Sequence, residues 1–198
     1  IKATGADFGI GFDGDGDRIA FLDEKGKYVN CAAIGAIISE YLLEEEPGAG
    51  IVYTNLTSRI LEEVIVDSGG VPLRARVGHT FLKEKLREEG AVFGAEHSGH
   101  FFWRDFFNTD STMLTLLKII EIYAEHKAEG YTFSEMMKPF SVYQQTEDVV
   151  VHVKDKDAAM KQMLEKVESM QPKKVTKFDG LFVDFGDVWG AIKPSVTE

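Results

Sequence analysis

The 198 residues carry 22 Lys and Arg against 33 Asp and Glu, a formal net charge of −11, with 44% hydrophobic and 28% charged residues. Such a balance is ordinary for a globular chain and lacks the basic footprint that phosphate-backbone binding needs, so no nucleic-acid partner is expected. The longest apolar stretch, Cys31 to Leu43, is broken by Ser39 and Glu40 and falls short of the ~18 apolar residues of a membrane span, and the lone cysteine permits no intrachain disulfide and fits a reducing compartment, the cytoplasm.

Residues 7–12 and 18–22 read as strands flanking a short acidic loop, followed by a turn at Lys25-Gly26-Lys27. From Ala32 to Glu46, Ile34, Ile37, Ile38, Tyr41 and Leu42 recur at helical spacing until Pro47-Gly48 stops the run. Strand Ile51–Thr54, helix Ser58–Ser68, strand Val71–Val77, helix Thr80–Glu89 and strand Ala91–Ala95 then alternate. Repeated units of this length imply parallel strands with right-handed crossovers, hence a three-layer α/β/α sandwich with a mostly parallel sheet. A long helix from Asp110 to about Lys127 is expected to bury Met113, Leu116, Leu117, Ile120 and Tyr123. A second helix starts at the capping box Thr132 to Glu135 and ends near Pro139. Past a polar linker at 141–147, the pattern becomes strand Val149–Val153, helix Asp157–Met170 and strands near Val175–Phe178, Leu181–Phe185 and Val188–Ile192, a partial α+β domain. The first residue, Ile1, is not Met, and the chain is expected to be a piece of something longer.

In Asp13-Gly14-Asp15-Gly16-Asp17-Arg18, carboxylates alternate with glycines, so three hard oxygen donors can converge on one divalent cation, Mg²⁺ by preference. A solvated Asp-Gly turn is the bland alternative. A calcium EF-hand requires Gly where Arg18 stands and helices where strands are expected. An Asp-nucleophile phosphatase would use Asp13, but Asp17 occupies the place of its Thr.

If the central strands are parallel, the loops after them share the carboxyl edge of the sheet, where open α/β sheets bind ligands. Those loops hold Asn55, Thr57, Ser58 and Arg59, then Arg76, Gly78, His79 and Thr80, and finally Glu96 to His100. A polar, partly charged ligand such as a sugar phosphate suits that set. Ser58 can also serve simply as a helix N-cap, and Glu96, His97 and His100 form a poor zinc set. The aromatic run Phe101 to Phe107 is expected to be packing rather than a base-stacking platform.

Phe12-Asp-Gly-Asp-Gly-Asp-Arg18, Arg76-Val-Gly-His-Thr80 and Gly94-Ala-Glu-His-Ser-Gly-His100 together resemble the α-D-phosphohexomutase family of phosphomannomutases and phosphoglucomutases. The resemblance implies Mg²⁺ at Asp13, Asp15 and Asp17, with Arg18 beside it. It also implies sugar-hydroxyl contacts from Glu96 and Ser98, a substrate contact from Arg76, and His79 and His100 near the transferring phosphate. The implied reaction interconverts hexose 1-phosphate and 6-phosphate through a phosphoserine and a hexose 1,6-bisphosphate. Family members have four domains, so residues 1–23 would end the second, 24–143 form the third and 144–198 begin the fourth, the missing N-terminal domains acting as partners. Lys193, Ser195 and Thr197 would form the phosphate loop of that last part. Two departures stand out: the family's Thr-Ala-Ser-His-Asn-Pro nucleophile motif is absent, and Lys193 and Val196 replace its Arg and Gly. Leu56 also occupies the place of a lysine that some members carry, so the general acid/base is unassigned. An Asp-nucleophile phosphatase and a non-catalytic sugar-phosphate binding module are the competing functions.

Overall fold

The computed structural model describes residues 1–146 and 148–194. The chain divides between Gln144 and Gln145 into two compact units. No described helix is long and apolar enough to cross a membrane.

The first unit opens with a three-stranded antiparallel sheet, β1 (Phe8–Phe12), β2 (Ile19–Asp23) and β3 (Tyr28–Val29), with β2 in the middle. Strand β3 lies beyond the expected turn and was too short to read from alternation. Helix α1 (Cys31–Glu45) follows, its N-terminus capped by Asn30, whose side chain accepts from the Ala32 amide at 2.7 Å.

Strand β4 (Gly50–Thr54), helix α2 (Arg59–Asp67), β5 (Val71–Ala75), helix α3 (His79–Glu89) and β6 (Phe93–Ala95) form the alternating core. β4 pairs in parallel with both β5 and β6. Antiparallel β7 (Phe101–Trp103) and β8 (Thr109–Asp110) complete a mixed sheet in the order β5-β4-β6-β7-β8. The aromatic run thus packs as expected and also supplies a strand: Phe101, Phe102 and Trp103 are all buried.

Alternation along β4 sets the layers. Ile51 and Tyr53 join the larger core with α1 and α2, while Val52 points to the opposite face against Leu82 and Leu86 of α3. Helices α4 (Thr112–Ala128) and α5 (Phe133–Met137) join the larger core, where Phe133 stacks on Phe8 and Phe21 and Tyr123 meets Phe8 and Phe133 edge-on. This aromatic cluster packs the opening hairpin into the same compact unit as the mixed sheet.

Helix α4 buries only part of the face its sequence suggested, Tyr123 and in part Leu116. Thr115, Ile119, Ile122 and Tyr123 are buried, whereas Met113, Leu117 and Ile120 are 56%, 53% and 44% exposed. Apolar residues lie on both sides of this helix, so periodicity alone could not choose between them.

In the second unit, helix α6 (Lys156–Ser169) is capped by Asp155, which accepts from the Ala158 amide at 2.9 Å. It packs Met160, Leu164 and Val167 against the antiparallel sheet of β9 (Lys174–Lys177), β10 (Leu181–Asp184) and β11 (Trp189–Ile192). The expected strand Val149–Val153 does not form. Val149, Val150 and Val151 are at least 70% exposed and no strand lies beside them among the described residues, so β propensity alone does not order the segment.

Candidate functional site

The acidic loop joins two antiparallel strands in tight register, Phe12 opposite Ile19, which excludes the helix-flanked EF-hand geometry. Inside it, Asp13 Oδ1 accepts from the amides of Gly16 and Arg18, each at 3.2 Å, and its Oδ2 accepts from Arg18 Nε at 2.5 Å. Desolvation works against the Asp13 charge, yet the Arg18 guanidinium and these amides hold its carboxyl below the usual carboxylate range. Such stabilisation disfavours Asp13 as an attacking nucleophile, while the lone pairs that remain on its oxygens can still coordinate a cation.

Among the described residues, Asp13, Asp15 and Asp17 form the one group of carboxylate, imidazole or thiol donors whose ligand atoms all lie within 4.8 Å of one another. Glu96, His97 and His100 do not form a second. Asp17 Oδ1 is buried and accepts no hydrogen bond. Leaving a carboxylate oxygen buried without a hydrogen bond, with only the Arg18 guanidinium 3.8 Å away, is costly, and a hard cation held by three carboxylates removes that cost. The residues therefore fit Mg²⁺.

Two contacts tie this loop to the one after β6. The Ile19 amide donates to the Gly99 carbonyl at 3.1 Å, and His100 Nε2 lies 3.0 Å from Asp17 Oδ2. The other ring nitrogen of His100 is 3.1 Å from Glu96 Oε2 and 3.0 Å from Ser98 Oγ. Burial opposes the charge on this imidazole, but the two flanking carboxylates raise its pKa above the ordinary value. Glu96 itself is only 4% exposed. Burial opposes its charge as well, and His100 together with the Gly78 amide, which donates to Oε1 at 3.1 Å, keeps it ionised.

Glu96 thus links its own loop to the one after β5 through Gly78 and to the acidic loop through His100. Beside Gly78, His79 starts α3 and is exposed. Strand β5 ends at Ala75, one residue before Arg76, whose guanidinium lies 4.4 Å from the centre of the Phe81 ring. Ser58 holds the N-cap position of α2 without a side-chain capping bond, so capping does not account for its hydroxyl. A cavity of about 360 Å³ runs beside the acidic loop, its wall including Asp13, Arg18, Tyr28, Cys31 and Ser98.

Lys193 lies elsewhere in the chain, in the second unit. Its ammonium donates to Asp179 Oδ2 at 2.7 Å, and the two side chains are 14% and 7% exposed. Ser195 and Thr197 lie outside the described residues.

Sequence reasoning missed Thr112, whose hydroxyl donates to the Gly16 carbonyl at 2.8 Å across 96 positions of sequence. Gly78, which the sequence placed in this edge, has a φ of 129° and offers its amide to Glu96.

A mixed sheet layered between helices, with an acidic loop and a polar loop set meeting near its carboxyl edge, defines an α/β/α domain whose polar edge is of the kind where open α/β sheets bind ligands. Residues 30–143 match the family model described as phosphoglucomutase/phosphomannomutase, alpha/beta/alpha domain III. The chain is 34% identical to a phosphomannomutase of Methanocaldococcus jannaschii over 199 aligned residues, covering 100% of this chain and 43% of that protein. A phosphomannomutase of Escherichia coli K12 is 33% identical, with 98% of this chain and 42% of the relative covered. Among solved structures, a phosphoglucomutase/phosphomannomutase family protein from Burkholderia thailandensis superimposes with a TM-score of 0.85 at 30% identity, over 100% of this chain and 42% of that one. The chain belongs to the phosphoglucomutase/phosphomannomutase family. It spans less than half the length of these relatives.

Proposed function

We propose that this chain is the metal-binding and sugar-binding portion of a Mg²⁺-dependent mutase that interconverts hexose 1-phosphate and hexose 6-phosphate, with mannose or glucose as the hexose. The convergence of Asp13, Asp15 and Asp17, joined through His100 to Glu96 and Ser98, carries this reading.

Phosphoryl transfer demands mainly positioning and charge neutralisation. Asp13, Asp15 and Asp17 hold Mg²⁺, which when bound neutralises charge on the transferring phosphoryl group. Arg18 balances the acidic loop and offers its remaining N–H groups to phosphate oxygens. Glu96 and Ser98 accept from and donate to sugar hydroxyls, and Arg76 and His79 approach the phosphate from the next loop. In each half-reaction one P–O bond breaks at the donor oxygen and one forms at the acceptor oxygen, while the acceptor hydroxyl surrenders its proton. His100 has the Asp17 and Glu96 carboxylates on its two ring nitrogens and serves to join the loops, which leaves His79 as the imidazole to take that proton. The phosphoserine donor lies outside these 198 residues, in N-terminal domains with which this portion works, and a hexose 1,6-bisphosphate links the two half-reactions. Lys193 stands where the family resemblance implies an Arg, and its ammonium, held by Asp179, offers a point charge instead of a two-pronged guanidinium. The buried free thiol of Cys31 suits a reducing cytoplasm.

Calorimetric titration tests this reading. The chain should bind glucose 1-phosphate or mannose 1-phosphate in the presence of Mg²⁺, and Glu96→Gln should weaken that binding. With catalytic glucose 1,6-bisphosphate, the chain alone should show no conversion of glucose 1-phosphate. Robust turnover would refute the assignment of the phosphoserine to another part of the protein, and absence of sugar-phosphate binding would refute the site.

A further inference from the structure

We propose that Thr112 is a positioning residue for the acidic loop, its hydroxyl fixing the peptide between Gly16 and Asp17 in the orientation that aims the carboxylates at a shared cation. This rests on the reading of Asp13, Asp15 and Asp17 as metal ligands.

Gly16 has a φ of 79°, and glycine moves easily between this conformation and others, so the loop needs an outside restraint to hold one of them. Thr112 supplies it. Its Oγ1 donates to the Gly16 carbonyl at 2.8 Å in a partly buried setting. That carbonyl and the Asp17 amide share one planar peptide unit, so fixing the carbonyl fixes the backbone from which the Asp17 side chain projects. On its other side Gly16 is held by its own amide, which donates to Asp13 Oδ1 at 3.2 Å.

Thr112 acts from an anchored base. It is the first residue of α4, and the cap of that helix is the neighbouring Ser111, whose Oγ accepts from the Leu114 amide at 3.2 Å. The Thr112 hydroxyl is therefore not spent on capping its own helix. The Ser111 amide donates to the Phe101 carbonyl of β7 at 3.0 Å. Thr115 Oγ1 donates to the Ser111 carbonyl at 2.8 Å and accepts from the buried Trp103 Nε1 at 3.1 Å. The start of α4 is thereby fastened to the mixed sheet, and Thr112 transmits that rigidity to the loop. Groups that support a metal's ligands without touching the metal commonly govern its affinity.

The test is a Mg²⁺ titration of the 198-residue chain, followed through the backbone amide resonances of Asp13, Asp15 and Asp17. Thr112→Val keeps the shape of the side chain and removes the donor; Thr112→Ser keeps the donor. The Kd for Mg²⁺ should rise roughly three- to tenfold in Thr112→Val and return to the wild-type value in Thr112→Ser. The metal-free melting temperature should stay within about 2 °C of wild type in both. Wild-type affinity in Thr112→Val would overturn the proposal while leaving the metal site standing, as would a loss of affinity that tracks a fall in melting temperature and is not restored by Ser. A wild-type chain that binds no Mg²⁺ would overturn the metal reading and this proposal together.

Discussion

His100 Nε2 lies 3.0 Å from Asp17 Oδ2, so one imidazole ring joins the acidic loop to the loop that holds Glu96 and Ser98. Glu96 is 4% exposed and depends on His100 and the Gly78 amide for its charge. Replacing His100 with Phe keeps a ring of similar size but leaves the buried carboxylate without its imidazole. The first unit should then lose about 1–3 kcal/mol of stability, read as a lower urea midpoint. His100→Gln, which retains an N–H, should lose less. Equal midpoints for His100→Phe and wild type would show that the contact carries no net stability.

Gly99 has a φ of 94°, and a Cβ built on it would lie 2.8 Å from the Ile19 carbonyl oxygen. Its own carbonyl accepts from the Ile19 amide. A side chain here meets backbone in a conformation that L-residues rarely adopt, so the two loops must separate. Gly99→Ala should cost about 1–3 kcal/mol and weaken Mg²⁺ binding at the same time. Denaturation and metal titration of the variant check both effects; unchanged stability would mean the loops do not need this close approach.

The acidic loop and the alternating strands and helices were legible because their signals are local: carboxylates two positions apart, and periodicity interrupted by Gly and Pro. What joins the site together was not. His100 to Asp17 and Thr112 to Gly16 are contacts across long stretches of sequence, and nothing in the neighbourhood of Thr112 distinguishes its hydroxyl from any other near a helix start. Strands β3 and β8 have two residues each, too few for alternation to show. The valines at 149–151 illustrate the converse, a strong local preference with no neighbouring strand to realise it among the described residues.

Glu24 fastens the opening hairpin to α5, accepting from the Ser134 hydroxyl at 2.6 Å and the Ser134 amide at 3.0 Å. Burial opposes its charge, but these bonds lower its pKa to about 2. The unfolded chain, with a Glu pKa of about 4.3, binds this proton more readily than the folded one, so stability from Glu24 is complete above that pH and is lost as pH falls toward 2. Glu24→Gln should lower stability by about 1 kcal/mol at neutral pH and flatten the decline between about pH 4.5 and 2. Melting temperatures measured across that range check it; an acid limb as steep as wild type would assign the decline to other carboxylates.

Helix α4 offers two apolar faces, and mutations on each should separate them. Ile119 and Ile122 are fully buried in the larger core. Truncating either to Ala removes methyl and methylene groups from close packing and should cost about 2–4 kcal/mol. Leu117 and Met113 are more than half exposed, although the spacing that first defined this helix placed them with Leu116 and Tyr123 on its buried side. Leu117→Gln and Met113→Gln should therefore shift stability by no more than about 0.5 kcal/mol in this chain. The buried Trp103 Nε1 contact with Thr115 selects the inward face, because rotating the helix to bury Leu117 would strand that indole N–H without its acceptor. Urea denaturation of the four variants decides the matter. A large loss for Leu117→Gln beside a small one for Ile119→Ala would reverse the orientation of α4 and, with it, the placement of Thr112 against the acidic loop.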